Sequence, residues 1–271
     1  MKDALRLFLT GAALFAAASL LTGCEFISGF ISGFTGGEMK VDNSLLGSLP
    51  GGEAQGGAVV SGNTLTYGSH TYTIVSDIDV NTREYKQPTA SVSFTNFPAS
   101  YSEFEAVYKG LLGKSIAGTA AMIPMAIELY ARDADAGGRC FSLLCNGPAT
   151  VDGILRILKT KLVPSQYAPD NDPYIQRYMA AALLKGAVNT NAYTPDTPYT
   201  VEMTMAPGGV KDAAHACGKL TSTYILSLGW DAFQRGVDVF RPEDSEYYKI
   251  LDCTSCCFWC KDIQGVWAGL Q

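Results

Sequence analysis

The hydrophobic period of this chain changes from helical to alternating at the proline-rich turn Thr194-Pro195-Asp196-Thr197-Pro198, which ends a helical block. Before the turn, apolar residues recur every three or four positions, as on one face of a helix; after it they alternate, as on a strand. Ser100 with Glu103 three residues on is a capping-box pattern, and Phe104, Val107, Tyr108 and Leu111 continue it at helical spacing. Pro124 would kink a helix interior but suits a first turn, so the next helix is expected to start near Ile123 and to run to about Arg132. Two more are expected at about 135–145 and 152–162, the second with Ile154, Leu155, Leu158 and Leu162 on one face. Asp172 and Pro173 then offer an N-cap and a first-position proline, Ile175, Tyr178, Met179, Ala182 and Leu183 form a stripe, and Gly186 can end the helix.

Strand patterns flank this block. Thr71–Val75 is β-rich, and Ala90, Val92 and Phe94 alternate with Ser91, Ser93 and Thr95. Beyond the turn, Tyr199, Val201, Met203 and Met205 alternate with Thr200, Glu202 and Thr204, and Tyr224, Leu226 and Leu228 with Thr223 and Ser227. Phe233–Phe240, Tyr247–Leu251 and Gly265–Leu270 complete the series. Strands at this spacing with short polar connections imply an antiparallel sheet. The expected fold is α+β, a helical layer of about five helices packed on a mainly antiparallel β-sheet that the N-terminal strands can join. The globular domain is expected over 64–271, with a helical block at about 100–187 and a sheet block at about 199–271.

The N-terminal end has a different character. Lys2 and Arg6 precede a run from Leu7 to Leu21 that is apolar or small apart from Thr10 and Ser19. That is the layout of a signal peptide, and it is short of the roughly 20 apolar residues a membrane-crossing helix needs. It ends in Leu21-Thr22-Gly23-Cys24, which resembles the lipobox of bacterial lipoproteins. The resemblance implies that residues 1–23 are cleaved, that the Cys24 thiol carries a diacylglycerol, and that this covalent lipid is the only cofactor-like group. At about 0.8 kcal/mol per buried CH₂, two or more acyl chains hold a protein durably on a membrane. Glu25 stands where the inner-membrane retention signal of enterobacteria has Asp, which favours an outer membrane if the host has one. The expected location is therefore exported and lipid-anchored, with the domain facing the periplasm or the exterior.

Residues 24–63 read as a tether. Phe26 to Phe34 repeats Phe-Ile-Ser-Gly, which suits either a lipid interface or a plain linker, and Gly51, Gly52, Gly56, Gly57 and Gly62 mark a flexible spacer. About 25 such residues span roughly 25–30 Å. Losing residues 1–23 removes Lys2, Arg6 and Asp3 and moves the formal charge from −6 to −7. An acidic domain without a basic stripe excludes nucleic acid as the expected partner.

Several segments carry a resemblance. Ala121-Met-Ile-Pro-Met-Ala-Ile-Glu-Leu-Tyr-Ala-Arg-Asp133, Cys140-Phe-Ser-Leu-Leu-Cys-Asn146, Asp172-Pro-Tyr-Ile-Gln-Arg-Tyr178, Tyr193-Thr-Pro-Asp-Thr-Pro-Tyr199 and Lys261-Asp-Ile-Gln-Gly-Val-Trp267 look like an uncharacterised family of bacterial domains of unknown function. The resemblance covers about residues 90–271 and implies no activity and no catalytic residues.

Chemistry concentrates in the cysteines. Cys253-Thr-Ser-Cys256-Cys257-Phe-Trp-Cys260 holds two Cys-x-x-Cys units, and Cys140, Cys145 and Cys217 bring the number to seven once Cys24 is set aside. In an exported chain disulfides are the default, and an odd number leaves one thiol over. Reduced core cysteines, a thiolate metal site and a redox pair stay open beside that reading. Other patterns fall short. Gly110 to Ser115 ends like a phosphate loop, but Tyr108 takes the place of its first glycine; Asp133, Asp135 and Gly138 begin like a calcium loop, but Leu144 stands where the bidentate Glu belongs. Asp212, His215 and Cys217 lie close in sequence, yet read as a polar loop. Tyr193, Tyr199, Tyr247, Tyr248, Trp230, Phe258, Trp259 and Trp267 gather in the sheet half, either as core or as an exposed platform for a glycan or protein ligand. No catalytic residue is assigned. The expected function is a membrane-anchored envelope lipoprotein acting as a non-enzymatic binding or structural module; the alternative is a cysteine-based redox or metal-binding protein.

Overall fold

The computed structural model describes residues 57–80, 89–162, 176–212, 219–230, 233–258 and 260–263. Eight strands form one antiparallel sheet whose order in space is their order in the chain: β1 (Val59–Ser61), β2 (Thr64–Tyr67), β3 (His70–Ser76), β4 (Thr89–Phe94), β5 (Tyr199–Asp212), β6 (Lys219–Leu226), β7 (Gln234–Phe240) and β8 (Lys249–Asp252). The sheet is open, with β1 and β8 at its edges. Among the described residues the first strand starts at Val59, ahead of the Thr64 suggested by the sequence. Four α-helices lie among the described residues, α1 (Tyr101–Gly110), α2 (Ile116–Arg132), α3 (Ala134–Leu144) and α4 (Pro148–Leu162), and all fall between β4 and β5.

One face of the sheet is apolar: Leu65, Tyr72, Ile74, Ala90, Val92, Phe94, Val201, Met203, Ile225, Val237, Val239 and Ile250 are buried. On β6 the expected alternation is a correction: Ile225 pairs with Met203 on the buried face, so Thr223 and Ser227 are buried while Tyr224 and Leu226 are half-buried and Leu228 is exposed. Helix α2 lies against this face, touching β3, β4, β7 and β8, while α1 touches β2. Every residue from Ile116 to Tyr130 except Glu128 is buried, so α2 is apolar nearly all round, as befits a helix enclosed on all sides.

The helix ends are set by identifiable bonds. Ser100 Oγ accepts from Glu103 N at 3.3 Å, and Glu103 Oε2 accepts from Ala99 N at 2.8 Å, one residue before the cap itself. Ser115 Oγ accepts from Gly118 N at 2.9 Å, and Asp77 Oδ1, from outside the helix, accepts from Ala117 N at 2.8 Å. These acceptors answer the unpaired N–H groups of a helix start. They also explain why α2 begins at Ile116, seven residues earlier than Pro124 suggested: two acceptors wait at the earlier start, and burial of the helix holds Pro124 inside it.

The expected fifth helix is a correction. Among the described residues of that segment, Arg177–Met179 and Ala181–Leu183 are single 3₁₀ turns. Gln176 N bonds Lys161 O at 2.9 Å, and Lys185 N bonds Thr200 O at 2.8 Å, so the segment is fastened outward at both ends. Met179, Ala182 and Leu183 are still buried. The apolar stripe found its core without making a helix. Strands β6 and β8 are shifted by a few residues from expectation, and the strand expected at Gly265–Leu270 lies outside the described residues.

Candidate functional site

The cysteines gather where α3, β8 and the 3₁₀ turn Thr254–Cys256 meet. Cys145 caps the C-terminus of α3, and its backbone bridges Ile250 of β8 in parallel. Asn146 N donates to Ile250 O at 2.8 Å, Thr150 Oγ1 to Leu251 O at 3.4 Å, and the Lys249 ammonium to Leu143 O. Chain continuity then carries Cys253 to the same place. Its thiol contacts those of Cys145 and Cys257. Cys256 Sγ points to Gly236 O at 4.0 Å, and Cys260 Sγ to Gln176 Oε1 at 3.4 Å. Gln176 also accepts from Cys260 N at 3.1 Å and donates to Cys260 O at 2.9 Å, so one side chain fixes that cysteine's backbone on both sides.

Cys140, Cys145, Cys253, Cys256, Cys257 and Cys260 are all buried and none is joined in a disulfide; Cys217 lies outside the described residues. Burial disfavours the thiolate. It pushes Cys140, Cys256 and Cys260 up to about 12. The contact with Cys253 and burial raise Cys145 further still. For Cys253 the contact with Cys145 acts downward, but that with Cys257 and full burial outweigh it. Such thiols are poor nucleophiles at neutral pH. Among the described residues no group of three or more His, Cys, Asp and Glu side chains is arranged to hold a metal ion.

A second polar cluster escaped sequence reading. Glu103, 2% exposed, receives hydrogen bonds at 2.7 Å from Tyr72 Oη and from His70 Nδ1, which also forms its ion pair when protonated. With Ala99 N on its other oxygen, the carboxylate accepts three hydrogen bonds and ties β3 to α1. The Glu in the capping pattern was legible, but its partners on β3 lie about thirty residues away. Asp133, which imitated a calcium ligand, caps α3 through Asp135 N and Ala136 N, each at 3.0 Å. Gly110 ends α1 and Leu112–Lys114 is a 3₁₀ turn, so no phosphate loop forms there. The Asp212, His215 and Cys217 grouping falls largely outside the described residues.

The aromatic residues of the sheet half do not share one exposed face. Tyr193 and Trp230 are core, and Tyr199, Tyr247 and Tyr248 pack against it. Phe258 is exposed, and the side chains of Trp259 and Trp267 lie outside the described residues. A concave feature lies elsewhere, a cup of about 360 Å³ where the start of α1, the end of α2 and the start of α3 converge. Ser100, Tyr101, Ser102, Arg132, Asp133 and Arg139 line it. Arg139 lies 3.8 Å from the Tyr101 ring centroid, and Arg132 Nη2 donates to Pro98 O at 2.6 Å. Both guanidinium groups are therefore held by the fold at its rim.

Residues 96–264 match a family described as a domain of unknown function (DUF6935). The chain belongs to this family. No curated protein and no solved structure matches the chain. The DUF6935 region takes in all four helices and β5 to β8, together with the described cysteines and the cup, and leaves β1 to β4 before it. Half of the strands, including the β4 partner of β5, thus lie ahead of the family region. Among the described residues no helix is long and apolar enough to cross a membrane.

Proposed function

We propose that the chain is an exported lipoprotein, held to a bacterial membrane by lipid on Cys24, whose folded part is a non-catalytic binding or structural module. The anchor half of this reading is supported by the run from Leu7 to Leu21 and its ending Leu21-Thr22-Gly23-Cys24. The non-catalytic half is supported by one observation above others: the groups best suited to chemistry are spent on structure. The described thiols are buried and held protonated, and both Glu103 carboxylate oxygens accept hydrogen bonds that tie β3 to the start of α1. A reactive cysteine needs a thiolate and access, so the redox or metal alternative built on Cys253 to Cys260 has less support. An outer membrane is the expected destination if the host has two membranes, and a glycan or a protein is the candidate ligand if the module binds one.

The test is metabolic labelling of the full chain in a bacterial host with radioactive palmitate, followed by fractionation. The expected outcome is label on the wild-type protein in the membrane fraction, and neither label nor cleavage for Cys24→Ser. Unlabelled wild-type protein, or label that survives Cys24→Ser, would end the lipoprotein reading.

A further inference from the structure

Two of the buried thiols stand in a place where a covalent bond would add to a junction already made. The end of α3 is stitched to β8 by the Cys145–Ile250 bridge and the Asn146 N to Ile250 O bond, and Cys253 follows Ile250 by one short step. Side chains from these two backbones meet in the core, Cys145 against Cys253. The remaining described cysteines keep other company: Cys256 turns to Gly236 O and Cys260 to Gln176. Cys257, brought round by the turn in which its N–H bonds Thr254 O at 2.9 Å, touches Cys253 from the other side.

We propose that Cys145 and Cys253 form a disulfide when the chain folds in an oxidising compartment, covalently joining the end of α3 to the end of β8. The proposal rests on the export reading for its oxidising surroundings. It deepens that reading by naming which of the cysteines pair. The competing bond, Cys253 to Cys257, closes a loop of a few residues, whereas Cys145 to Cys253 closes one of about a hundred. In the chain-entropy account the longer closure constrains the unfolded chain more, so of the two bonds it adds more to the stability of the fold.

The chemistry uses a donor disulfide, either a protein dithiol oxidase or a small molecule. During folding, before burial suppresses ionisation, the thiolate of one cysteine attacks a donor sulfur and expels the other as a thiolate. The second cysteine, deprotonated, attacks the mixed disulfide, forms the Cys145–Cys253 bond and releases the donor's remaining sulfur. The pair loses two electrons and two protons, and the donor gains them as two thiols. Once folded, both sulfurs lie out of water, so reductants reach them only through unfolding.

The test is peptide mapping of the full chain, refolded in a buffer of oxidised and reduced glutathione, with free thiols blocked in acid denaturant before digestion. The expected result is a cross-linked peptide pair joining the Cys145 and Cys253 segments. It should persist in Cys257→Ala, vanish in Cys145→Ala, and resist dithiothreitol until the protein is unfolded. Complete alkylation of the described cysteines in the wild type overturns the proposal, as does a Cys253–Cys257 bond in its place. The wild-type map decides the matter even if a variant fails to fold. Because glutathione supplies the oxidant, the outcome is independent of palmitate labelling: a missing cross-link sinks the pairing alone, and missing palmitate sinks the anchor alone.

Discussion

Phe94 and Tyr199 are cross-strand partners at the meeting of β4 and β5, their ring centroids 5.5 Å apart at an interplanar angle of 72°. Phe97 closes the group, 5.4 Å from each ring. In the chain these partners are separated by all four described α-helices. The helical block is in effect one long excursion inside a β-hairpin, returning to where it left. Edge-to-face contacts of this kind are worth about 0.5–1.5 kcal/mol beyond area burial, and here they seal the base of the excursion.

The DUF6935 region begins at residue 96, just past Phe94. Residues from Ala54 onward form one compact unit. A fragment of residues 96–264 should therefore be aggregation-prone, because it bares the hydrogen-bonding edge of β5 and the apolar surfaces that β2 to β4 cover. A fragment from Ala54 to the end should be monodisperse and unfold cooperatively. Size-exclusion chromatography of the two settles it; a monodisperse, cooperatively folded 96–264 fragment would show that β1 to β4 are dispensable.

Removing Glu103 should be costly. In Glu103→Ala, Tyr72 Oη and Ala99 N lose their acceptor inside the protein. A loss of about 2–4 kcal/mol is expected, against about 1 kcal/mol for Tyr72→Phe, which leaves the carboxylate its other donors. Urea denaturation measures both, and equal losses would mean that the carboxylate does not organise the cluster.

Gly137 is where α3 crosses α2 most closely. A Cβ there would stand 2.2 Å from Tyr130 Cα and 2.4 Å from Tyr130 N, both backbone atoms that cannot turn aside. Gly137→Ala should cost about 2–4 kcal/mol despite its better helix propensity. Gly153, in α4, has nothing within 4 Å, so Gly153→Ala should stabilise, by up to about 1 kcal/mol. Thermal unfolding of the pair gives opposite signs if the packing account holds.

Reduced protein should weaken in alkali earlier than its tyrosines require. Burial lifts Cys140, Cys256 and Cys260 to about 12 in the fold, against about 8.5 in an unfolded chain. Above about pH 8.5 the unfolded state therefore releases protons that the native state keeps, so stability present below that pH is lost as pH rises toward 12, by up to about 1.4 kcal/mol per pH unit for each thiol. Denaturant midpoints between pH 8 and 10.5 in a reducing buffer should fall, and Cys256→Ala should flatten the slope. A flat profile would mean that the thiols ionise freely in the folded protein.

The sheet was largely legible because alternation is a local signal: Ala90, Val92 and Phe94, and Val201 and Met203, point inward as their spacing required. What sequence could not show was adjacency. Nothing local tells that Asp77 will cap α2 from another element, or that His70 and Tyr72 will close on Glu103. The helix expected after Asp172 failed for a related reason. Its stripe was real, but the Gln176 and Lys185 N–H groups donate to Lys161 O and Thr200 O and the Gln176 side chain to Cys260 O, and those long-range partners outweighed helical propensity. The cysteine cluster was visible as a motif, whereas its company with Cys145 came from the way α3 ends beside β8.

The running order of the strands has a mechanical side. A pull delivered through the residues ahead of Val59 enters at an edge strand of three residues, paired to β2 alone. Each strand is bonded to the next one along the chain, so tension opens the ladder a rung at a time, like a zip, instead of shearing many bonds together. The first piece to yield is β1, while the thiol junction at β8 sits at the far end of the strand order. Drawn from its N-terminal side in an optical trap, the molecule should lengthen in small early steps before the core lets go; a single large rupture would contradict this order of yielding.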